Sequence, residues 1–139
     1  MGTNIRADIS KKNKYWIEKH RYYELKHFCL QYPIWKEAHK SLTSLSRNPS
    51  DLMIFKKTGQ TSDPTVKCVL SRSWYRERMF MVERAAEEAD SELSSYILIG
   101  VTEGKSYEFL SGKLNIPCSR DTYYDRYRRF FWILNRIRN

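Results

Sequence analysis

From Thr65 to Ala89 the chain contains neither glycine nor proline. A run of that length without a breaker is too long for a strand and predicts one long helix. Val66, Val69, Trp74, Val82, Ala86 and Ala89 supply its apolar stripe. Ser62-Asp63-Pro64 stands in front of it, a capping residue followed by a proline at the first helical position. Tyr15 to Tyr32 is a second unbroken run, with Trp16, Tyr23, Phe28 and Tyr32 at helical spacing. Pro33 ends it and suits the first turn of a following helix, whose stripe is Ile34, Trp35, Ala38, Leu42 and Leu45. Tyr32-Pro33-Ile34-Trp35 then reads as a tight joint between two helices.

With five glycines and four prolines in 139 residues, and 14% aromatic side chains, the chain reads as all-α with a substantial core. The expected layout is an N-terminal helical hairpin, a long central helix and a C-terminal helix-turn-helix. Residues 1–14 form a flexible basic arm. Residues 15–90 form a helical subdomain, with a Ser-, Asn- and Thr-rich loop at about 46–63. Residues 91–139 form a separate domain. Glu87, Glu88 and Asp90 are misplaced at a helix C-terminus but suit the start of a new helix, which Asp90 or Ser91 would cap.

The formal net charge is +9, which points to an anionic partner, nucleic acid before membrane. The excess sits at the two ends. Residues 1–40 hold nine Lys/Arg against four Asp/Glu, residues 41–118 hold ten of each, and residues 119–139 hold six Arg against two Asp. Arginine favours recognition of phosphates and base edges over mere solubility.

The informative stretch is 91–139. It reads as a helix over Ser91–Val101, a turn at Gly104, a short helix over Ser106–Leu114, a turn over Asn115–Cys118 and a long helix over Ser119–Arg138. Ser106 and Ser119 are N-caps, Asn115 tolerates the left-handed backbone of a tight turn, and Ile116 plugs it. A small residue at Ser111 would let the short helices cross closely. On the last helix Tyr123, Tyr127, Phe130 (or Phe131), Leu134 and Ile137 are expected to face inward. Arg120, Tyr124 and Arg128 are expected on an outer face, flanked by Thr122, Asp125, Arg126 and Arg129. Such a face suits the major groove, with Arg126, Arg129 and Lys113 on phosphates. The expected DNA-binding set is Ser106, Lys113, Ser119, Arg120, Thr122, Tyr124, Asp125, Arg126, Arg128 and Arg129.

The run Gly104-Lys105-Ser106-Tyr107-Glu108-Phe109-Leu110-Ser111-Gly112-Lys113-Leu114-Asn115-Ile116 resembles the helix-turn-helix of region 4 in sigma factors. The segment from Glu24-Leu25 to Leu42, with its Tyr32-Pro33 joint, resembles the N-terminal part of the RinA/ArpU group of phage transcriptional regulators. The order of a long central helix and a sigma-like C-terminal domain is that group's order. The resemblance implies activation of late phage or prophage genes by binding promoter DNA. Pro117-Cys118 departs from the pattern by lengthening the turn before Ser119, which leaves the base-contacting register open by one or two positions.

Other chemistry is not expected. His20, His27 and His39 have no carboxylate or cysteine at ligand spacing and read as structural, so no metal is expected. Cys29, Cys68 and Cys118 are odd in number and far apart, which suits small apolar groups in a reduced, cytoplasmic setting; the resemblance implies that this is the cytoplasm of a bacterial host cell. No phosphate loop or nucleophile elbow occurs, and neither an enzyme, a cofactor nor a small-molecule substrate is expected. The Tyr15-Trp16, Tyr22-Tyr23 and Trp74-Tyr75 pairs read as core before base-stacking platforms. No apolar run of about 18 residues spans a membrane. The partners expected are double-stranded DNA, RNA polymerase and a second copy of the chain on DNA, paired through the N-terminal helices. A small terminase-like packaging subunit and a protein-interaction module that binds a host factor or the polymerase are the alternative functions.

Overall fold

The computed structural model describes residues 12–46 and 63–138, and all of its regular structure there is helical. In chain order the helices are α1 (Lys19–Leu30), α2 (Tyr32–Ser46), α3 (Asp63–Ala89), α4 (Ser94–Glu103), α5 (Tyr107–Leu114) and α6 (Arg120–Ile137). Most of the 1–14 arm and nearly all of the 46–63 loop lie outside the described residues. No helix among those described is long and apolar enough to cross a membrane.

Local chemistry accounts for most helix ends. α1 starts later than the apolar pattern suggests, because the Glu18 carboxylate accepts from the amides of His20 and Arg21 at 3.1 and 3.2 Å. Tyr15 and Trp16 therefore lie in a turn, where their amides donate to Asn13 at 2.8 and 3.0 Å. Gln31 alone separates α1 from α2, and Pro33 falls in the first turn of α2, where its missing N–H costs nothing. Asp90 ends α3 and organises the next turn by accepting from the amides of Glu92 and Leu93 at 3.0 and 3.1 Å. Gly104 closes α4 with a left-handed backbone, φ 67°.

The described residues fall into two compact units, one from those within 12–32 and 81–138, the other from those within 33–46 and 63–80. The division is not at residue 90, where the sequence suggests it. α1 packs against α4 and α6, so the first helix belongs with the C-terminal third. The reason lies in α6, whose buried face is too wide for one partner. Tyr123, Tyr124, Tyr127, Phe130, Phe131, Ile133 and Leu134 are all buried.

The core of that unit is an aromatic cluster. Phe131 meets Tyr22, Tyr127 and Phe130 edge-on at centroid distances of 5.1, 5.0 and 4.9 Å. Edge-to-face pairs of this kind add about 0.5–1.5 kcal/mol each beyond the area they bury. The hydroxyls of Tyr22 and Tyr127 satisfy one another at 2.6 Å. Burial pushes the Tyr22 phenol up to about 12 and the Tyr127 phenol well above its usual value. The last two turns of α3 contribute small side chains, Val82, Ala85, Ala86 and Ala89, all buried. Glu83, on the same stretch, accepts a hydrogen bond from the Tyr32 hydroxyl.

The second unit contains most of α2 and the first part of α3. Cys68 Sγ lies 3.8 Å from the Leu42 carbonyl oxygen, which marks the side of α3 that faces α2. Cys68, Arg72, Tyr75 and Met79 on that side are all half-buried. At about 100° per residue, Val66, Val69, Leu70 and Phe80 lie on the opposite side, and all four are exposed.

Candidate nucleic-acid interface

The stretch from Ser106 to Thr122 is a chain of local bonds that fixes the start of α6 relative to α5. Ser106 Oγ caps α5 by accepting from the Phe109 amide at 3.3 Å. Asn115 ends it with φ 53°, the one non-glycine residue with positive φ among those described. Ile116 is buried, and its amide donates to the Leu110 carbonyl at 3.1 Å. The Tyr107 hydroxyl reaches across and donates to the Cys118 carbonyl at 2.6 Å, bracing the longer turn that Pro117-Cys118 creates. Ser119 Oγ then caps α6, accepting from the Thr122 amide at 3.2 Å and donating to Thr122 Oγ1 at 3.0 Å. The hydroxyls of Ser106 and Ser119 are therefore occupied in holding the frame.

The outer face of α6 is not the one the sequence suggests. Tyr124 is 2% exposed and lies in the core, with its ring edge-on to Tyr123 at 5.0 Å and its hydroxyl 3.4 Å from the Tyr107 amide, which donates to it. It presents nothing to a groove. Arg120 belongs to the same side. Its guanidinium lies 5.5 Å from the centre of the Tyr124 ring and pairs with Glu108 of α5. Ile137 is half-buried, and Ile133 takes its place in the core. The doubled apolar pairs Tyr123-Tyr124, Phe130-Phe131 and Ile133-Leu134 were the signal for this. A stripe two residues wide means a helix covered on two sides, here by α1 and α4.

At 3.6 residues per turn, Asp121, Thr122, Asp125, Arg128, Arg129, Trp132 and Arg136 lie on the far side from this core. Asp121 and Thr122 are exposed, and Asp125, Arg128 and Arg129 are half-exposed. Lys113 is exposed at the end of α5. Arg126 lies to one side and holds two carboxylates, Asp90 at 2.9 Å and Asp125. Partial burial pushes the Asp90 carboxyl up, but the Arg126 hydrogen bond and the Leu93 and Glu92 amides outweigh it and hold it below its usual value. Arg126 thus ties the start of α4 to α6.

The charge is distributed unevenly along α6. Between Ser119 and Arg126 two arginines are matched by two aspartates. From Tyr127 to Arg138 four arginines meet no acid in the sequence. The first half of the exposed row offers short polar and acidic groups at a braced helix start, and the second half offers positive charge. Such a row can place donors and acceptors at base edges and cations on flanking phosphates.

Sequence reasoning also missed Gly100. A Cβ built there would lie 2.2 Å from Tyr123 Oη, so the bare backbone of α4 makes room for a side chain of α6 here. Ser111, the small residue expected to allow a close crossing, is half-buried on α5. No family model, curated protein or solved structure matches the chain.

Proposed function

We propose that the chain is a sequence-specific duplex-DNA-binding transcriptional regulator of the phage or prophage type. In this reading α4, α5 and α6 form a helix-turn-helix and α6 enters the major groove. The observation that carries it is the braced turn: two serine caps, a left-handed Asn115, a buried Ile116 and the Tyr107–Cys118 bond together hold the start of α6 at a fixed place on α5. The resemblance of residues 104–116 to sigma region 4 and the net charge of +9 support the same reading.

The base-reading positions are Thr122, Asp125 and Arg128, the exposed row of α6, in place of Arg120–Tyr124–Arg128. A carboxylate accepts from the cytosine amino group, a threonine serves either role, and an arginine reads guanine. Arg120 and Arg129 bind phosphates. The Arg120–Glu108 pair is no obstacle, because both side chains are largely exposed, 42% and 60%. Such a surface pair is worth about 0–1 kcal/mol and exchanges readily for a phosphate.

The test is duplex binding by fluorescence anisotropy, first with random sequence and then with a sequence selected from a random pool. Binding should weaken steeply between 50 and 200 mM salt. Asp125→Ala should relax base preference at one position, costing roughly 1–3 kcal/mol of discrimination. No duplex binding at 50 mM salt refutes the reading. One observation favours a second reading, a protein-interaction module: Val66, Val69, Leu70 and Phe80 are apolar and exposed on one side of α3.

A further inference from the structure

We propose that the turn before α1 and the second half of α6 form a phosphate-binding ledge, separate from the base-reading row, which grips the backbone of duplex DNA. The inference rests on the DNA-binding reading above. Four side chains join in a continuous series. Lys14 Nζ lies 5.0 Å from the centre of the Tyr15 ring, Tyr15 lies 5.7 Å from Trp132, and the Arg136 guanidinium lies 4.9 Å from the Trp132 ring. The two aromatic rings hold two cations at the ends of one surface, on elements far apart in sequence. Arg21 Nε donates to Asn135 Oδ1 at 2.6 Å and pins α1 to α6 beside them.

The charge balance decides what this surface is for. Residues 12–21 and 128–138 carry eight Lys/Arg and a single acid, Glu18. That acid caps α1 through the His20 and Arg21 amides, is held below its usual pKa mainly by the His20 amide, and offsets one of the eight positive charges. Glu24 is paired with Arg21, and Glu88, which lines the same hollow as Arg136, is paired with Arg84 at 2.6 Å. Among the described residues no carboxylate pairs with Lys14 or Arg136. A surface with this excess of positive over negative charge is the complement of a polyanion. Duplex DNA fits better than an anionic membrane. The rings of Tyr15 and Trp132 cover one another and are capped by cations, so they do not form the apolar face a bilayer needs. The ledge is also continuous along α6 with the row assigned to the groove.

The test compares the full-length Lys14→Ala/Arg136→Ala variant with wild type on random and selected duplexes across a salt series. Each lost phosphate contact makes the slope of log affinity against log salt shallower by about 0.9. The expected slope is therefore shallower by about 2, with the ratio of selected to random affinity unchanged, the opposite of what Asp125→Ala does. Lys67→Ala/Arg76→Ala removes the same charge from the other unit and should leave the slope as it is. Arg136→Lys keeps the cation and should retain the wild-type slope, which separates charge from a merely structural stack. A slope unchanged in Lys14→Ala/Arg136→Ala, or lowered equally by Lys67→Ala/Arg76→Ala, overturns the ledge while DNA binding stands. So does a loss of binding to vesicles of anionic phospholipid with no change on DNA. Wild-type protein that binds no duplex at 50 mM salt overturns both proposals together.

Discussion

Replacing Gly100 by alanine adds one methyl group where α4 meets the Tyr123 side chain of α6. The new Cβ would lie 2.2 Å from Tyr123 Oη and 3.5 Å from Tyr123 Cζ. Favourable carbon contacts begin near 3.5 Å, so the hydroxyl would have to retreat by more than an ångström. The Tyr123 ring is 1% exposed and is boxed in by Tyr107, Tyr124 and Tyr127 at centroid distances of 6.0, 5.0 and 6.1 Å. Overpacking of this kind costs about 1–3 kcal/mol, while Gly→Ala inside a helix gains about 1 kcal/mol. The net expectation for Gly100→Ala is a loss of roughly 0–2 kcal/mol. Tyr123→Phe should be neutral or stabilising. The hydroxyl it removes is buried with no hydrogen-bond partner among the described residues, a state that costs about 1–3 kcal/mol. In the Tyr123→Phe background the ring carbon and the Lys105 carbonyl oxygen remain near the new methyl, both at the ordinary contact distance of 3.5 Å, and Gly100→Ala should then stabilise by up to about 1 kcal/mol. The double-mutant cycle should show a change of sign and a coupling of roughly 2 kcal/mol, within the range for residues in contact. Urea unfolding followed by tryptophan fluorescence and far-ultraviolet circular dichroism measures all four corners. Equal shifts of the midpoint in both backgrounds would refute the close approach.

Three further outcomes are expected. Tyr127→Ala should cost roughly 3–5 kcal/mol, as a large-to-small change at the centre of the aromatic cluster, and a normally stable variant in calorimetry would contradict the inward face of α6. Asp90→Ala removes the bonds to the Glu92 and Leu93 amides as well as the part-buried pair with Arg126, and should cost about 1–3 kcal/mol; Arg126→Ala removes only the pair and should cost less, denaturation midpoints rank the two, and an equal or larger loss in Arg126→Ala would mean the turn bonds contribute nothing. Stability should fall as pH rises from about 10, where the unfolded Tyr22 phenol ionises, to about 12, where the folded one does. The raised folded value means that this contribution is complete below pH 10 or so and is lost above it. Phenolate absorbance should show a group of tyrosines titrating only as helicity is lost, and full titration at retained helicity would argue against their burial.

Most helix limits were legible in the sequence because they rest on bonds within a few residues. Pro33, Gly104, Ser106, Asn115 and Ser119 each act on the backbone beside them, and their chemistry is the same whatever the rest of the chain does. The all-helical class follows in the same way from unbroken runs such as Thr65–Ala89. Glu18 is a partial exception: a carboxylate can cap a helix, but the apolar residues Trp16 and Ile17 before it read equally well as a first turn.

What only the tertiary structure decided is which side of each helix meets what. A helical period gives one direction per residue but not the number of partners around the axis. Tyr124 points inward because α6 is covered by both α1 and α4, and that width, which removes Tyr124 from the candidate interface, depends on α1 leaving the N-terminal half to pack with the C-terminal third. Gly100 carries no local signal at all. It lies within α4 with an ordinary helical backbone, and its lack of a side chain matters only because Tyr123, on another helix, fills the space. The same holds for charge: the sequence placed an arginine excess in the last segment, but the neutralisation of Arg120 by Glu108 and of Arg126 by Asp90, and the meeting of Lys14 with Arg136 across two aromatic rings, arise from contacts between helices, which no spacing along the chain encodes.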